Sequence, residues 1–126
     1  NEGAGMKPAP PVTIAPAAPE APPAPPAPSR VAPQVNFNTD CTKPLYPPAA
    51  ARAEAQGVVR IKVTVGVDGR ATATEIAKSS GASREHKLLD RAAEAAIRDT
   101  CKFKPGTVDG KPEPLTTFVE YDWKLQ

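Results

Sequence analysis

Val59, Ile61, Val63, Val65 and Val67 alternate with Arg60, Lys62, Thr64 and Gly66. Period-two alternation over so many positions predicts a strand with one buried face. Asp68-Gly69 follows, and a type I′ turn, which needs positive φ at both central residues, predicts a hairpin there. The returning strand, about 70–78, is less regular. Ala71, Thr74 and Ile76 cannot all share one face without a slip, so a bulge is expected. Ser79-Ser80-Gly81-Ala82-Ser83 reads as a loop. Over 86–100, Leu89, Ala92, Ala93, Ala96 and Ile97 recur at helical spacing and make one apolar stripe. Arg91, Glu94 and Arg98 lie opposite, the last two spaced i, i+4 as an ion pair. The final element alternates again. Leu115, Thr117, Val119, Tyr121, Trp123 and Leu125 fall on one face, and Thr116, Phe118, Glu120, Asp122 and Lys124 on the other. Ahead of all these, Pro47-Pro48 opens an alanine-rich stretch closed by Gly57, which predicts a short helix over 47–55.

The order is therefore α-β-β-α-β, an α+β fold. A hairpin followed by a right-handed crossover sets the last strand beside the first and antiparallel to it. The expected sheet is three-stranded and antiparallel, in order 2-1-3, with two helices packed on one face. Arg60 and Lys62 on its open face would meet Glu120 and Asp122, since opposite charges across strands are favourable. The last strand would then be an edge with unpaired backbone groups.

Composition divides the chain. Residues 1–40 hold 11 of the 17 prolines and a single aromatic, Phe37. Such a segment buries too little apolar surface to offset its ordering entropy, so 1–40 is expected to be a disordered Ala/Pro-rich linker. Its 8–33 repeats favour extended polyproline II and would span roughly 80 Å. Residues 41–126 remain for one small domain, near the size where a covalent staple helps. Cys41 and Cys101 sit just before the first expected element and just after the main helix. They are too far apart for a redox CxxC pair and too few for a zinc set with one histidine, so a structural disulfide leads over two separate buried thiols or a metal site. A disulfide implies an oxidising compartment.

The domain carries 14 basic and 11 acidic residues, interspersed, which argues against a nucleic-acid footprint. No apolar stretch is long enough to span a bilayer. The opening Asn1-Glu2-Gly3-Ala4-Gly5 resembles neither a signal peptide nor an anchor. It reads as a cut edge, so a fragment that has lost an N-terminal targeting or membrane segment is expected. No catalytic set is visible: His86 is the only histidine and opens a helix, Asp68 and Asp109 belong to turns, and no carboxylate cluster has metal spacing. A binding module without cofactor or metal is expected, with the edge strand as its useful feature, because strand addition at such an edge is a recurring recognition mode. A merely capped edge is the alternative.

A resemblance adds to this. Lys43-Pro44-Leu45-Tyr46-Pro47-Pro48-Ala49-Ala50, Gln56-Gly57-Val58-Val59, Val67-Asp68-Gly69-Arg70, Lys78-Ser79-Ser80-Gly81, Leu89-Asp90-Arg91-Ala92-Ala93, Phe103-Lys104-Pro105 and Asp109-Gly110-Lys111-Pro112 resemble the TonB C-terminal domain in order and spacing. The resemblance implies a periplasmic domain, anchored in the inner membrane by an N-terminal helix absent from this fragment. It also implies ExbB and ExbD as partners through that missing part. The domain would bind the TonB box of outer-membrane transporters and transmit proton-motive-force energy for siderophore, haem or vitamin uptake. It implies Lys43, Tyr46, Pro47, Thr116, Phe118, Val119, Glu120, Tyr121 and Asp122 as the contact surface, with Tyr46-Pro47 equally readable as a packing corner. Lys43 stands where some members have glutamine, and Cys101 where tryptophan is frequent. Cysteine-containing relatives look similar at both cysteine positions, which favours a Cys41–Cys101 bridge. A TolA-like envelope adaptor, binding another protein or peptidoglycan, is the alternative function. Edge strands also invite a homodimer.

Overall fold

The computed structural model describes residues 29–126. Most of the polyproline stretch expected over 8–33 therefore lies outside the described residues. The elements are β1 (Arg30–Val31), α1 (Phe37–Asp40), α2 (Pro48–Arg52), β2 (Gly57–Val65), β3 (Ala71–Lys78), α3 (Arg84–Thr100), β4 (Thr107–Val108), β5 (Lys111–Pro112) and β6 (Leu115–Trp123).

The three long strands form an antiparallel sheet in the order β3-β2-β6. The expectation of a single sheet is corrected by a second one, β1-β4-β5, built from two-residue strands. Strands that short carry no periodicity, and β1 lies in a stretch whose prolines read as tether. A third helix, α1, is likewise additional. Residues 29–40, assigned by composition to the linker, form β1 and α1 and pair with residues 101–109, so the folded chain begins ahead of Cys41.

Val59, Ile61, Val63 and Val65 of β2 point into the core with Leu89, Ala93 and Ile97 of α3, and Val119 and Trp123 close it from β6. The alternation of β2 and the stripe of α3 thus meet face to face. Ser83 ends the loop before α3: its hydroxyl accepts from the His86 amide at 3.2 Å, satisfying one orphan donor of the first turn. Helix α2 is shorter than its alanine run because Glu54 adopts φ 54° and turns the chain away.

The bulge expected on the returning strand occurs twice. Register shifts fall between Arg60/Ile61 and Thr64/Val65, leaving Ala77 and Thr72 of β3 as the extra residues. The Asp68-Gly69 turn is not type I′. Only Gly69 has positive φ, at 82°, while Asp68 accepts from the Arg70 amide at 3.0 Å. The Gly69 amide donates to the Gly66 carbonyl at 3.0 Å and the Gly66 amide to the Arg70 carbonyl at 2.9 Å, so the loop has three residues with Val67-Asp68 at its centre, and the Phe103 carbonyl leaves no room for a Cβ on Gly69. Positive φ at both turn residues occurs instead at Asp109-Gly110. On the open face Arg60 lies opposite Glu120 and pairs with it at 3.4 Å. Lys62 lies opposite Phe118, and Asp122 pairs with Lys124 at 3.2 Å.

Cys41 and Cys101 form a disulfide across a sequence separation of 60. In the chain-entropy model a loop of that size stabilises the fold by roughly 4 kcal/mol.

Candidate functional site

Strand β6 owes its position to alternation. Val119 and Trp123 are buried, Tyr121 is half-buried beside them, and Thr116, Phe118, Glu120 and Asp122 are exposed. Its inner edge pairs with β2 in unbroken register from Leu115↔Val65 to Trp123↔Gly57. Among the described residues no strand pairs with its outer edge. The outer side of these nine residues is therefore an edge without a strand partner.

An aromatic ladder runs beneath this strand. Phe37 meets Tyr121 at 4.8 Å between ring centroids, Tyr121 meets Trp123 edge-on at 4.9 Å, and Trp123 meets Tyr46 edge-on at 5.0 Å. Each such pair adds about 0.5–1.5 kcal/mol beyond its buried area. The Tyr46 hydroxyl donates to the Ala55 carbonyl between α2 and β2, while its ring meets Trp123 at the end of β6. Burial pushes the Tyr46 phenol above its ordinary pKa. It does the same to Tyr121, where neighbouring Asp122 adds to the rise.

The sequence-derived contact residues divide into groups. Lys43, Tyr46, Tyr121 and Asp122 line one groove of about 490 Å³ at the C-terminal end of β6. Phe118, Val119 and Glu120 line a second, of about 430 Å³, further along the strand. Thr116 is exposed beyond it, and Pro47 serves as the N-cap of α2 rather than lining either groove. Sequence reasoning missed Pro33, Val35 and Phe37, which wall the second groove, and Leu45, which is 90% exposed beside the first. It also missed Arg60, whose guanidinium sits 4.3 Å over the Phe118 ring. A signal for the first three exists in the chain: Val31, Pro33, Val35 and Phe37 recur at every second position.

The remaining motif residues interlock and serve the fold. Asp90, 5% exposed on α3, accepts from the Ser80 amide at 2.9 Å, from the Ser80 hydroxyl at 2.7 Å and from the Ser79 hydroxyl. His86 bridges Ser83 and the Gln56 carbonyl through its two ring nitrogens. No group of three or more potential metal-ligating side chains occurs among the described residues.

A family model described as Gram-negative bacterial TonB protein C-terminal matches residues 42–125. The chain belongs to the TonB C-terminal family. Two curated relatives, each named Protein TonB, come from Xanthomonas campestris pv. campestris, strains B100 and ATCC 33913. Each is 44% identical over 68 residues, which is 54% of this chain and 28% of the relative. The match therefore spans little more than a quarter of those proteins. The family's matched range begins just after Cys41, so the segment carrying Pro33, Val35 and Phe37 lies outside it.

Proposed function

We propose that this domain binds the TonB box of outer-membrane transporters by strand addition at the outer edge of β6. It would act in the periplasm as the receiving end of a TonB-like protein anchored in the inner membrane. With ExbB and ExbD that protein would pass energy from the proton-motive force to transporters of siderophores, haem or vitamins. The observation that carries this reading is the contrast between the two strands bordering the main sheet. Strand β6 is unbulged, in register and unpaired outside, whereas β3 is bulged twice. Family membership supports the transporter as partner. A pulling role suits a main-chain interface, because several backbone hydrogen bonds would share the load.

Fluorescence anisotropy with a labelled TonB-box peptide tests this. The unmodified peptide should bind the oxidised domain. The same peptide with alternate backbone nitrogens methylated should bind at least about tenfold more weakly, since main-chain bonds supply the affinity. Equal binding by both peptides would reject strand addition.

A further inference from the structure

The segment from Ser29 to Cys41 runs antiparallel to residues 101–109 and is pinned along its length. The Ser29 amide donates to the Asp109 carboxylate at 3.0 Å, and the Asp109 amide donates back to the Ser29 carbonyl at 2.8 Å. Arg30 and Val31 pair with Val108 and Thr107. Gln34 and Lys104 exchange two backbone hydrogen bonds, at 3.1 and 2.8 Å. Asn36 caps α1, the Lys102 amide donates to the Asp40 carbonyl at 2.9 Å, and the disulfide closes the run. A Cβ on Gly106 would come within 2.9 Å of both the Pro33 ring and the Val31 carbonyl, and within 2.8 Å of Leu115. The strap is therefore seated directly on the domain where β6 begins.

The alternation of the strap turns Pro33, Val35 and Phe37 inward, while Ala32, Gln34 and Asn36 face solvent. Pro33 is buried, and Val35 and Phe37 pack against the core cluster. Between this face and the Thr117–Glu120 stretch of β6 lies the groove of about 430 Å³, at the small end of the roughly 300–1,000 Å³ of ligand sites. Among the described residues no backbone hydrogen bond joins strap to strand, so the β6 edge remains free while its flank is walled.

We propose, building on the strand-addition reading above, that the strap is the second wall of the partner site and that the incoming strand is gripped between it and β6. The occupant is an extended segment of the transporter that places mid-sized side chains in the groove at alternate positions. Those side chains enter the groove against Val35, Phe37 and Val119. The intervening side chains lie on the open face beside Phe118 and the Arg60 guanidinium above it. The register of the partner decides which set of its alternate side chains faces the strap, because a one-residue slip exchanges the two sets. The last residues ahead of Cys41 thus select the partner as well as connecting to the tether.

The test uses the oxidised full chain, isotope-labelled, with an unlabelled TonB-box peptide. Isotope-filtered NOEs from peptide side chains to Val35 and the Phe37 ring are expected in the unmodified protein, together with amide shifts at 115–123. Phe37→Ala, and separately Gly106→Ala, which lifts the strap from its seat, should each weaken binding roughly tenfold, the loss of one anchoring contact. Their β6 amide shifts on peptide addition should persist. The proposal is overturned if both variants bind as the unmodified chain does and no NOE reaches the strap. It is also overturned if strap amides move to unstructured positions on binding, which would make the strap a displaced cover. Both outcomes leave docking on β6 standing. An absence of β6 amide shifts would remove the docking reading and this proposal with it.

Discussion

Strands β3 and β6 flank the same central strand, yet only β3 departs from a regular ladder. Extra residues at Thr72 and Ala77 bend it, and Glu75 and Lys78 sit exposed on it. Bulges make an edge a poor template for another strand, and they rather than charges separate the two, since Glu120 and Asp122 are exposed on β6. Strand β6 has no bulge along nine paired residues, and its flank is lined by Val35 and Phe37 of the strap. Both edges are bordered by loops, but the loop at the end of β3 is locked inward by Asp90, whereas the strap leaves a groove beside β6. One edge strand is bulged and the other is regular. A sheet that only needed solubility would blunt both.

The largest way to disturb this contrast is to free the strap. Replacing both Cys41 and Cys101 with serine should cost roughly 4 kcal/mol in guanidinium unfolding, measured against the oxidised parent. Amide exchange should quicken first at 29–41 and along β6, with β3 changing less. On the opposite side, Asp90→Ala leaves the Ser80 amide without its acceptor, while the Ser79 and Ser80 hydroxyls keep the Gly81 and His86 carbonyls. A loss of about 1–3 kcal/mol in a denaturant melt is expected, with peptide affinity unchanged wherever the variant is folded. A loss of affinity there would mean that the two edges are coupled.

Smaller effects sharpen the picture. Arg60→Ala removes an exposed ion pair whose partners are 45% and 58% exposed, together with the contact to Phe118. Screened pairs of this kind contribute about 0.2–1 kcal/mol, so thermal unfolding should barely move, while peptide affinity falls if the open face reads the partner. The smallest effect is alkaline. Tyr46 and Tyr121 have phenols raised by burial, so the unfolded chain releases these protons at lower pH than the folded one. Their contribution is fully present below about pH 10 and is lost as pH rises from there through the folded values. Urea unfolding followed across that range, with tyrosinate absorbance alongside, checks the sign.

Much of the main sheet was legible because its signals are long. Alternation from Val59 to Val65 and from Leu115 to Trp123, and the stripe from Leu89 to Ile97, each repeat often enough to fix a face, although Val67, expected on the first, is exposed in the turn. The disruption of β3 was legible too, because Ala71, Thr74 and Ile76 do not share a parity. The Asp68-Gly69 turn was misjudged because the loop takes three residues, Val67 to Gly69, so that Asp68 needs no positive φ. Asp90 gave no warning: between Leu89 and Arg91 it reads as a solvated helix residue, and only the folded Ser79-Ser80 loop supplies its partners. For the site, the edge followed from strand order. The strap did not, because its prolines carry the composition of a tether even as Pro33, Val35 and Phe37 keep the parity of a strand.

Amide shift mapping of the labelled, oxidised chain with a TonB-box peptide reads both edges in one experiment. The account predicts shifts concentrated at 115–123 and at 33–37, with 71–78 silent. Shifts centred on 71–78, or none at saturating peptide with the domain demonstrably folded, would contradict it.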